Sequence, residues 1–261
     1  MTPDPELGAL LAIALHAADI ARDVIMPLYE SGVGVELKSD GTPVTDADRR
    51  AEAAIREFLA RECPDHSVLG EEYGESAGSS MYRWLLDPID GTKSFIHHVP
   101  LFGTLIALER AGDPVVGVIA CHALNETASA AAGHGAHLNG RPIRVSRVTS
   151  VAEATVLTTS IQGMQIALGD GLDAFLPQPM LLRTWGDCYG YLQVACGRAD
   201  AMLDPVMNSW DAAALFPIIR EAGGTITTWD GQPVVGDSVA ASNGALHAEL
   251  LNLLRPDPPV S

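Results

Sequence analysis

The chain has 261 residues, room for one large domain or two closely joined lobes, and 47% of them are hydrophobic without an apolar run long enough to cross a bilayer, so a soluble globular protein is expected and a membrane-spanning helix is excluded. A formal charge of −17 argues against nucleic acid or an anionic membrane as partner. Cys63, Cys121, Cys188 and Cys196 form no Cys-x-x-Cys pair, and the start Met1-Thr-Pro-Asp-Pro-Glu6 lacks the basic residues and apolar core of a signal peptide, so a reduced, cytoplasmic protein is expected.

From Pro5 to about Tyr29 the residues Leu7, Leu11, Leu15, Ala18, Ala21, Ile25 and Leu28 follow the spacing of one helix face, which Pro27 is expected to end or kink. Residues 31–44 are rich in turn formers and read as a mobile loop, from which Lys38 could approach a site or simply stay solvated. Val44-Thr45-Asp46-Ala47-Asp48 then leads into a helical pattern through Arg61, with Ala51, Ile55, Phe58 and Leu59 inward. Thr45 and Asp48 have the spacing of a capping box, and that use of Asp48 stands beside metal binding. Ser67-Val-Leu69 is a short apolar run that delivers Gly70-Glu71-Glu72 to its end, although adjacent glutamates are usually just solvated.

The most informative stretch is Trp84-Leu-Leu-Asp-Pro-Ile-Asp-Gly-Thr-Lys-Ser-Phe95. It reads as a buried strand ending at Asp87, a tight turn, and a short helix opening near Thr92. The turn brings Asp87 and Asp90 close together, and two such carboxylates repel unless a cation lies between them. Hard oxygen donors without Cys or His nearby favour Mg²⁺ or Mn²⁺. Gly91 and Thr92 stand where the helix begins, with backbone N–H groups able to face an anion. A cation beside an anion-binding helix start points to phosphate chemistry, and divalent cations would offset the −17 charge that a phosphate must approach. The plain alternative is an Asp-Pro turn followed by an N-cap.

Phe102–Leu108 and Val115–Cys121 read as strands joined by a hairpin turn at Ala111-Gly-Asp-Pro114. Thr127–Ala132 is another strand, and Asn139-Gly-Arg-Pro142 is again hairpin-like. The first half is therefore expected to be helices covering a largely antiparallel sheet. The second half alternates: strand 154–159, loose helix 163–175, a short strand ending at Arg183, helix 187–197, strand 201–203, helix 210–222, strands 225–228 and 239–241, and a final helix 245–254. A boundary near 146–152 divides an N-terminal α+β lobe (1–147) from a C-terminal α/β lobe (148–261) within one intimate unit. Asp211 opens the helix after Asn208-Ser-Trp210, a position that favours the helix dipole without any metal.

Gly70-Glu-Glu72, Trp84-Leu-Leu-Asp-Pro-Ile-Asp-Gly-Thr92 and Trp210-Asp-Ala-Ala-Ala214 with Glu221-Ala-Gly-Gly224, preceded by Thr45-Asp-Ala-Asp48, resemble the inositol monophosphatase superfamily of Mg²⁺-dependent phosphomonoesterases in order and spacing over most of the chain. The resemblance implies an α/β (α+β layered) fold, the sugar-phosphatase αβαβα sandwich, together with a homodimer and inhibition by lithium. It implies that Glu71, Asp87 and the main-chain carbonyl of Ile89 hold a first Mg²⁺, and that Asp87, Asp90 and Asp211 hold a second. A weaker third ion would sit near Glu71, with Asp48 reaching it through water. The phosphate would lie on the Gly91 and Thr92 amides, and Thr92 with Glu71 would orient and help deprotonate the attacking water. Such phosphoryl transfer needs positioning and charge neutralisation more than covalent catalysis.

Arg183-Thr-Trp-Gly-Asp-Cys-Tyr-Gly-Tyr191, with residues 87–95 and 101–108, resembles the histidinol-phosphatase branch of that superfamily. The small phosphorylated substrate would then be L-histidinol phosphate, whose protonated amine suits an acid at Asp187 or Asp204 beside Arg183. Asp187 is equally read as the N-cap of helix 187–197. Lys93 and Ser94 have no necessary role in the chemistry, and His97 and His98 read as surface or packing residues. An inositol or broader sugar monophosphate phosphatase, and a non-catalytic metal- or phosphate-binding regulator, are the alternatives.

Overall fold

In the computed structural model, which describes residues 4–32, 34–37 and 43–254, the chain opens with helix α1 (Pro5–Ser31). Asp4 caps it by accepting from the Glu6 amide. Leu7, Leu10, Ala14, Ala17, Ala18, Ala21 and Ile25 recur every three or four residues and are buried. Pro27 does not end the helix, which runs one further turn. The missing N–H removes a single bond near the end. The Tyr29 ring, 5.5 Å from Phe95 and 4.8 Å from Phe102, anchors that last turn.

The stretch expected as a loop over 31–44 contains a small ribbon, β1 (Val35–Leu37) paired antiparallel with β2 (Pro43–Thr45). Lys38 and the tip at 38–42 lie outside the described residues. Helix α2 (Asp46–Glu62) starts at Thr45 with both hydrogen bonds of the capping box in place.

The first sheet is built from β3 (Ser67–Gly70), β4 (Gly74–Ser76), β5 (Tyr82–Asp90), β6 (Gly103–Arg110), β7 (Asp113–Cys121), β8 (Glu126–Ala131), β9 (Ala136–Leu138) and β10 (Arg141–Pro142), with the short helix α3 (Thr92–Ile96) after β5. The order is β10-β9-β8-β7-β6-β5-β3-β4, and all neighbours are antiparallel except β3 with β5. The β6–β7 turn uses Ala111 and Gly112 at φ 54° and 87°, the doubly left-handed geometry that matches the twist of a tight hairpin.

The second sheet takes β11 (Thr155–Leu157), β12 (Leu181–Arg183), β13 (Ala201–Asp204), β14 (Thr225–Thr227) and β15 (Val239–Ser242) in the order β12-β11-β13-β15-β14. Its helices are α4 (Ile161–Leu168), α5 (Gly171–Phe175), α6 (Asp187–Ala195), α7 (Ser209–Ala212), α8 (Leu215–Glu221) and α9 (His247–Leu253). Two helices expected as continuous are broken. Gly169 at φ 55° separates α4 from α5. Pro217 cannot donate to the Ala213 carbonyl, and α7 and α8 are separate elements.

Alternation along the first sheet explains the layering. Trp84, Leu86, Ile106, Leu108, Val116 and Val118 join α1 and α2 in one core. Leu85, Leu105, Ala107 and Ile119 face the other way, onto α6, α8 and the near side of the second sheet. Val156, Ala201, Leu203 and Ala240 form a third core with α4, α5 and α9. Helices, sheet, helices, sheet, helices: this is the expected αβαβα order. Among the described residues no helix is long and apolar enough to cross a membrane.

Candidate active site

The site forms at the carboxyl end of β5, where a buried strand runs into two residues that leave its ladder. Asp87 pairs with Leu105 and Asp90 with Gly103, so two residues on β5 face one on β6, a bulge at Pro88-Ile89. Pro88 has no N–H to give the ladder, and its carbonyl instead accepts from Thr104 Oγ1 at 2.7 Å. Asp87 Oδ1 accepts the Ile89 amide at 3.0 Å, and Thr92 Oγ1 donates to the Ile89 carbonyl at 3.1 Å. These bonds hold the Ile89 carbonyl and the Thr92 hydroxyl together at the turn.

Gly91 is the N-cap of α3 at φ 83°. A Cβ there would come within 3.0 Å of both the Leu101 carbonyl and Asp187 Oδ2, so glycine is required twice over. The parallel register of β3 with β5 sets Gly70 beside Leu86 and therefore Glu71 beside Asp87. Asp211 is the third residue of α7, where its Oδ2 accepts from the Asn208 amide at 2.9 Å and side chain at 3.1 Å. Asp90 Oδ2 accepts a short hydrogen bond from the Cys188 amide in the first turn of α6. Asp48 Oδ2 takes the Thr45 amide at 2.8 Å and hydroxyl at 2.7 Å. The capping use of Asp48 is therefore present.

The electrostatics record how near these acids stand. Burial first, then the charges of Glu71, Asp90, Asp211 and Asp48, push Asp87 well above the ordinary carboxylate range. Burial followed by Asp187 and Asp211 does the same to Asp90. Burial lifts Asp48 and Asp211 to about 6 each. Among the described residues no three acids, cysteines or histidines already stand as a closed metal cage. The donor set nonetheless fits a hard divalent cation: oxygen donors only, mutually repelling, and desolvated.

Asp187 differs from the expected helix cap. Gly186 is the N-cap of α6, and Asp187 follows at φ 52° with no capping bond from its side chain. Its amide donates to Thr159 Oγ1 at 2.9 Å, which holds this strained residue, and its carboxylate lies over Gly91. Burial, then Asp204, raises it to about 7, while Lys93 pulls the other way.

Asp204, expected at the substrate, is spent on the fold: it is 4% exposed, with Oδ1 accepting from the Thr159 amide at 3.0 Å and Oδ2 from the Tyr191 hydroxyl at 2.8 Å. Arg183 is exposed on the edge strand β12 and folds back onto the Leu182 carbonyl at 2.8 Å. His97 is exposed, and His98 packs on Tyr29 at 5.2 Å. Thr159, Asn208, Thr104 and the Cys188 amide were not singled out from sequence, because backbone donors and distant hydroxyls leave no pattern along the chain. A separate cavity of about 350 Å³ lies between α1 and the ends of β7 and β8, lined by Asp19, Arg22, His122 and Asn125. At its edge His122 Nε2 lies 2.8 Å from Thr104 Oγ1, which donates to the Pro88 carbonyl on the acids' strand.

A match to the inositol monophosphatase family covers residues 6–257. The chain belongs to that family. It is 39% identical over 255 residues to a histidinol-phosphatase of Chlorobaculum parvum, covering 96% of both chains. It is 40% identical over 253 residues to a histidinol-phosphatase of Mycobacterium tuberculosis, covering 94% of this chain and 97% of that one. The fold superposes on the extragenic suppressor protein suhB of Bartonella henselae with a TM-score of 0.87 and 29% identity, covering 96% of this chain and 100% of that one. The family is generally metal-dependent.

Proposed function

We propose that this family member hydrolyses L-histidinol phosphate to L-histidinol and phosphate, with Mg²⁺ as the preferred cofactor and Mn²⁺ a usable substitute. It is a phosphoric monoester hydrolase acting on small phosphorylated substrates. The observation that carries the substrate is the Asp187 carboxylate set over Gly91 at the α3 start; a phosphate held by that helix start would turn its alcohol side toward this acid.

The residues divide as follows. Glu71, Asp87 and the Ile89 carbonyl hold one cation; Asp87, Asp90 and Asp211 hold another; Asp48 supports a weaker third beside Glu71. Bound, the cations supply charge neutralisation of the phosphate and of the departing oxygen, and they acidify water. The amides of Gly91 and Thr92 hold phosphate oxygens at the start of α3. Thr92 Oγ1, already donating to the Ile89 carbonyl, accepts a hydrogen bond from the attacking water, and Glu71 takes the one proton that the water loses. The water oxygen bonds to phosphorus as the phosphorus–histidinol oxygen bond breaks in line, without a phosphoenzyme; the departing oxygen takes up a proton from solvent while Glu71 releases the one it received. Asp187 holds the substrate's protonated amine, with Arg183 at the rim of the site and Asp204 bracing Thr159 behind it.

A second reading, inositol 1-phosphate or a wider set of sugar monophosphates, is favoured by the engagement of Asp204 within the fold, which removes one acid from the amine. A homodimer and a cytoplasmic location belong to the leading proposal, from the family resemblance and from four free thiols. The test is phosphate release from L-histidinol phosphate. Release with Mg²⁺, abolished by a chelator and restored by adding the cation back, is expected. No release at saturating Mg²⁺ would overturn the proposal.

A further inference from the structure

Helix α2 buries a second acid one turn after Asp48. Glu52 is 0% exposed and lies in line with Ile55 and Leu59 on the face turned to the core. A carboxylate in that position is strongly disfavoured unless it is paired and hydrogen-bonded. Glu52 is both. Its Oε1 accepts from Arg56 Nε at 2.7 Å and from the Tyr73 amide at 3.3 Å, and its Oε2 accepts from the Glu72 amide at 2.7 Å. Arg56 reaches onward to Ser76 Oγ at 3.0 Å and to the Gly74 carbonyl. Two side chains of α2 thus grip residues 72–76, the segment that immediately follows Glu71.

The consequence falls on Glu71 itself. Its amide donates to the Leu86 carbonyl on β5 at 3.1 Å, which fixes the peptide before it. The Glu72 amide belongs to the peptide after it, and Glu52 fixes that one. With both flanking peptide planes set, the backbone angles of Glu71 are set, and with them the direction in which its side chain leaves the chain. Gly70 shows how close the carboxylate runs: a Cβ there would overlap Glu52 Oε1.

We propose that Glu52, clasped by Arg56, is the positioning residue that aims Glu71 at the acid cluster, so that affinity for the divalent cation depends on a side chain that does not touch it. The proposal rests on the reading of Glu71 as a cation ligand. Partners one layer behind a ligand typically change metal affinity by about 10–100-fold when removed.

The test is Mg²⁺ binding to the full-length protein by titration calorimetry, alongside the Mg²⁺ dependence of phosphate release. Glu52→Gln keeps the shape and removes the charge. It is expected to weaken Mg²⁺ binding by about 10–100-fold while kcat recovers at saturating Mg²⁺. Arg56→Lys, a milder change, weakens binding in the same direction and serves if Glu52→Gln does not fold. Glu109→Gln is the control. Glu109 is also buried and is paired with Arg83 at 2.7 Å, but at the far end of β6, so its variant loses stability without a change in Mg²⁺ affinity. Glu71→Gln separates the two ideas. If it weakens Mg²⁺ binding while Glu52→Gln and Arg56→Lys leave it unchanged, the positioning role is overturned and the ligand reading stands. If Glu71→Gln also leaves binding unchanged, Glu71 is not a ligand and the positioning role falls with it.

Discussion

Asp187 Oδ2 lies 3.0 Å from the point where a Cβ on Gly91 would stand. Two loops 96 positions apart in sequence therefore run close together, one at the start of α3 and one at the start of α6, joined by the hydrogen bond from the Cys188 amide to Asp90. Gly91→Ala would meet the Leu101 carbonyl and the Asp187 carboxylate at once, on a backbone at φ 83°. The left-handed conformation alone costs about 1–2 kcal/mol for a residue with a Cβ. Urea unfolding should show at least that loss, and phosphate release should fall far more than stability does. Wild-type activity in this variant would mean that the α3 start does not hold the phosphate.

Asp87 is buried at 2% exposure among acids that raise its pKa. Without a cation it is a liability to the fold. Asp87→Asn should therefore raise the melting temperature of cation-free protein, by the equivalent of about 0.5–2 kcal/mol, as removal of functional-site strain commonly does. The same variant should lose Mg²⁺ binding and phosphate release. A variant destabilised without cation would show that Asp87 is held by donors rather than by repulsion.

The pH dependence has a definite sign. Burial lifts Asp48 and Asp211 from 3.8 to about 6, so the folded chain holds protons that the unfolded chain has released. In cation-free protein the stability these acids contribute is full below the ordinary carboxylate pKa and is lost as pH rises through about 6. Mg²⁺ held by these acids, as proposed, would displace those same protons. The gain in melting temperature on adding Mg²⁺ should be small near pH 5 and largest above pH 7. His122, kept neutral by burial with a pKa of about 4, titrates with and without Mg²⁺ and drops out of the difference. A gain independent of pH over that range would count against the acid cluster as the binding site.

Much of this was legible in the chain itself, and the reason is local. The run Leu85-Leu86-Asp87-Pro88 announces a buried strand that must stop, and Gly91-Thr92 announces a helix start. The Thr45–Asp48 spacing matches the capping box found at α2. What stayed hidden depends on partners far away. Asp204 reads as an available acid until Tyr191 and Thr159 are seen to occupy both of its oxygens. Asp187 reads as a cap until its own amide is found donating to Thr159, which leaves Gly186 to begin the helix. Pro27 reads as a helix end or kink because the aromatic anchors Phe95 and Phe102, which hold the turn beyond it, are remote in sequence.

Asp187→Asn removes the charge proposed to hold the substrate amine while keeping the size of the side chain. We expect kcat/KM for L-histidinol phosphate to fall about 10–100-fold, roughly 1.4–2.7 kcal/mol of transition-state binding. Turnover of a neutral phosphate ester should change much less. An equal loss on both substrates would assign Asp187 to the architecture of the α6 start instead.

The most direct test of the central claim is kcat/KM at saturating Mg²⁺ for L-histidinol phosphate against myo-inositol 1-phosphate, measured side by side with the same protein. An acid poised over the turn proposed to hold the phosphate predicts a preference of about a hundredfold or more for the amine-bearing substrate, roughly 2.7 kcal/mol. Equal or reversed values would leave the family's phosphatase chemistry standing and contradict the assignment of the substrate.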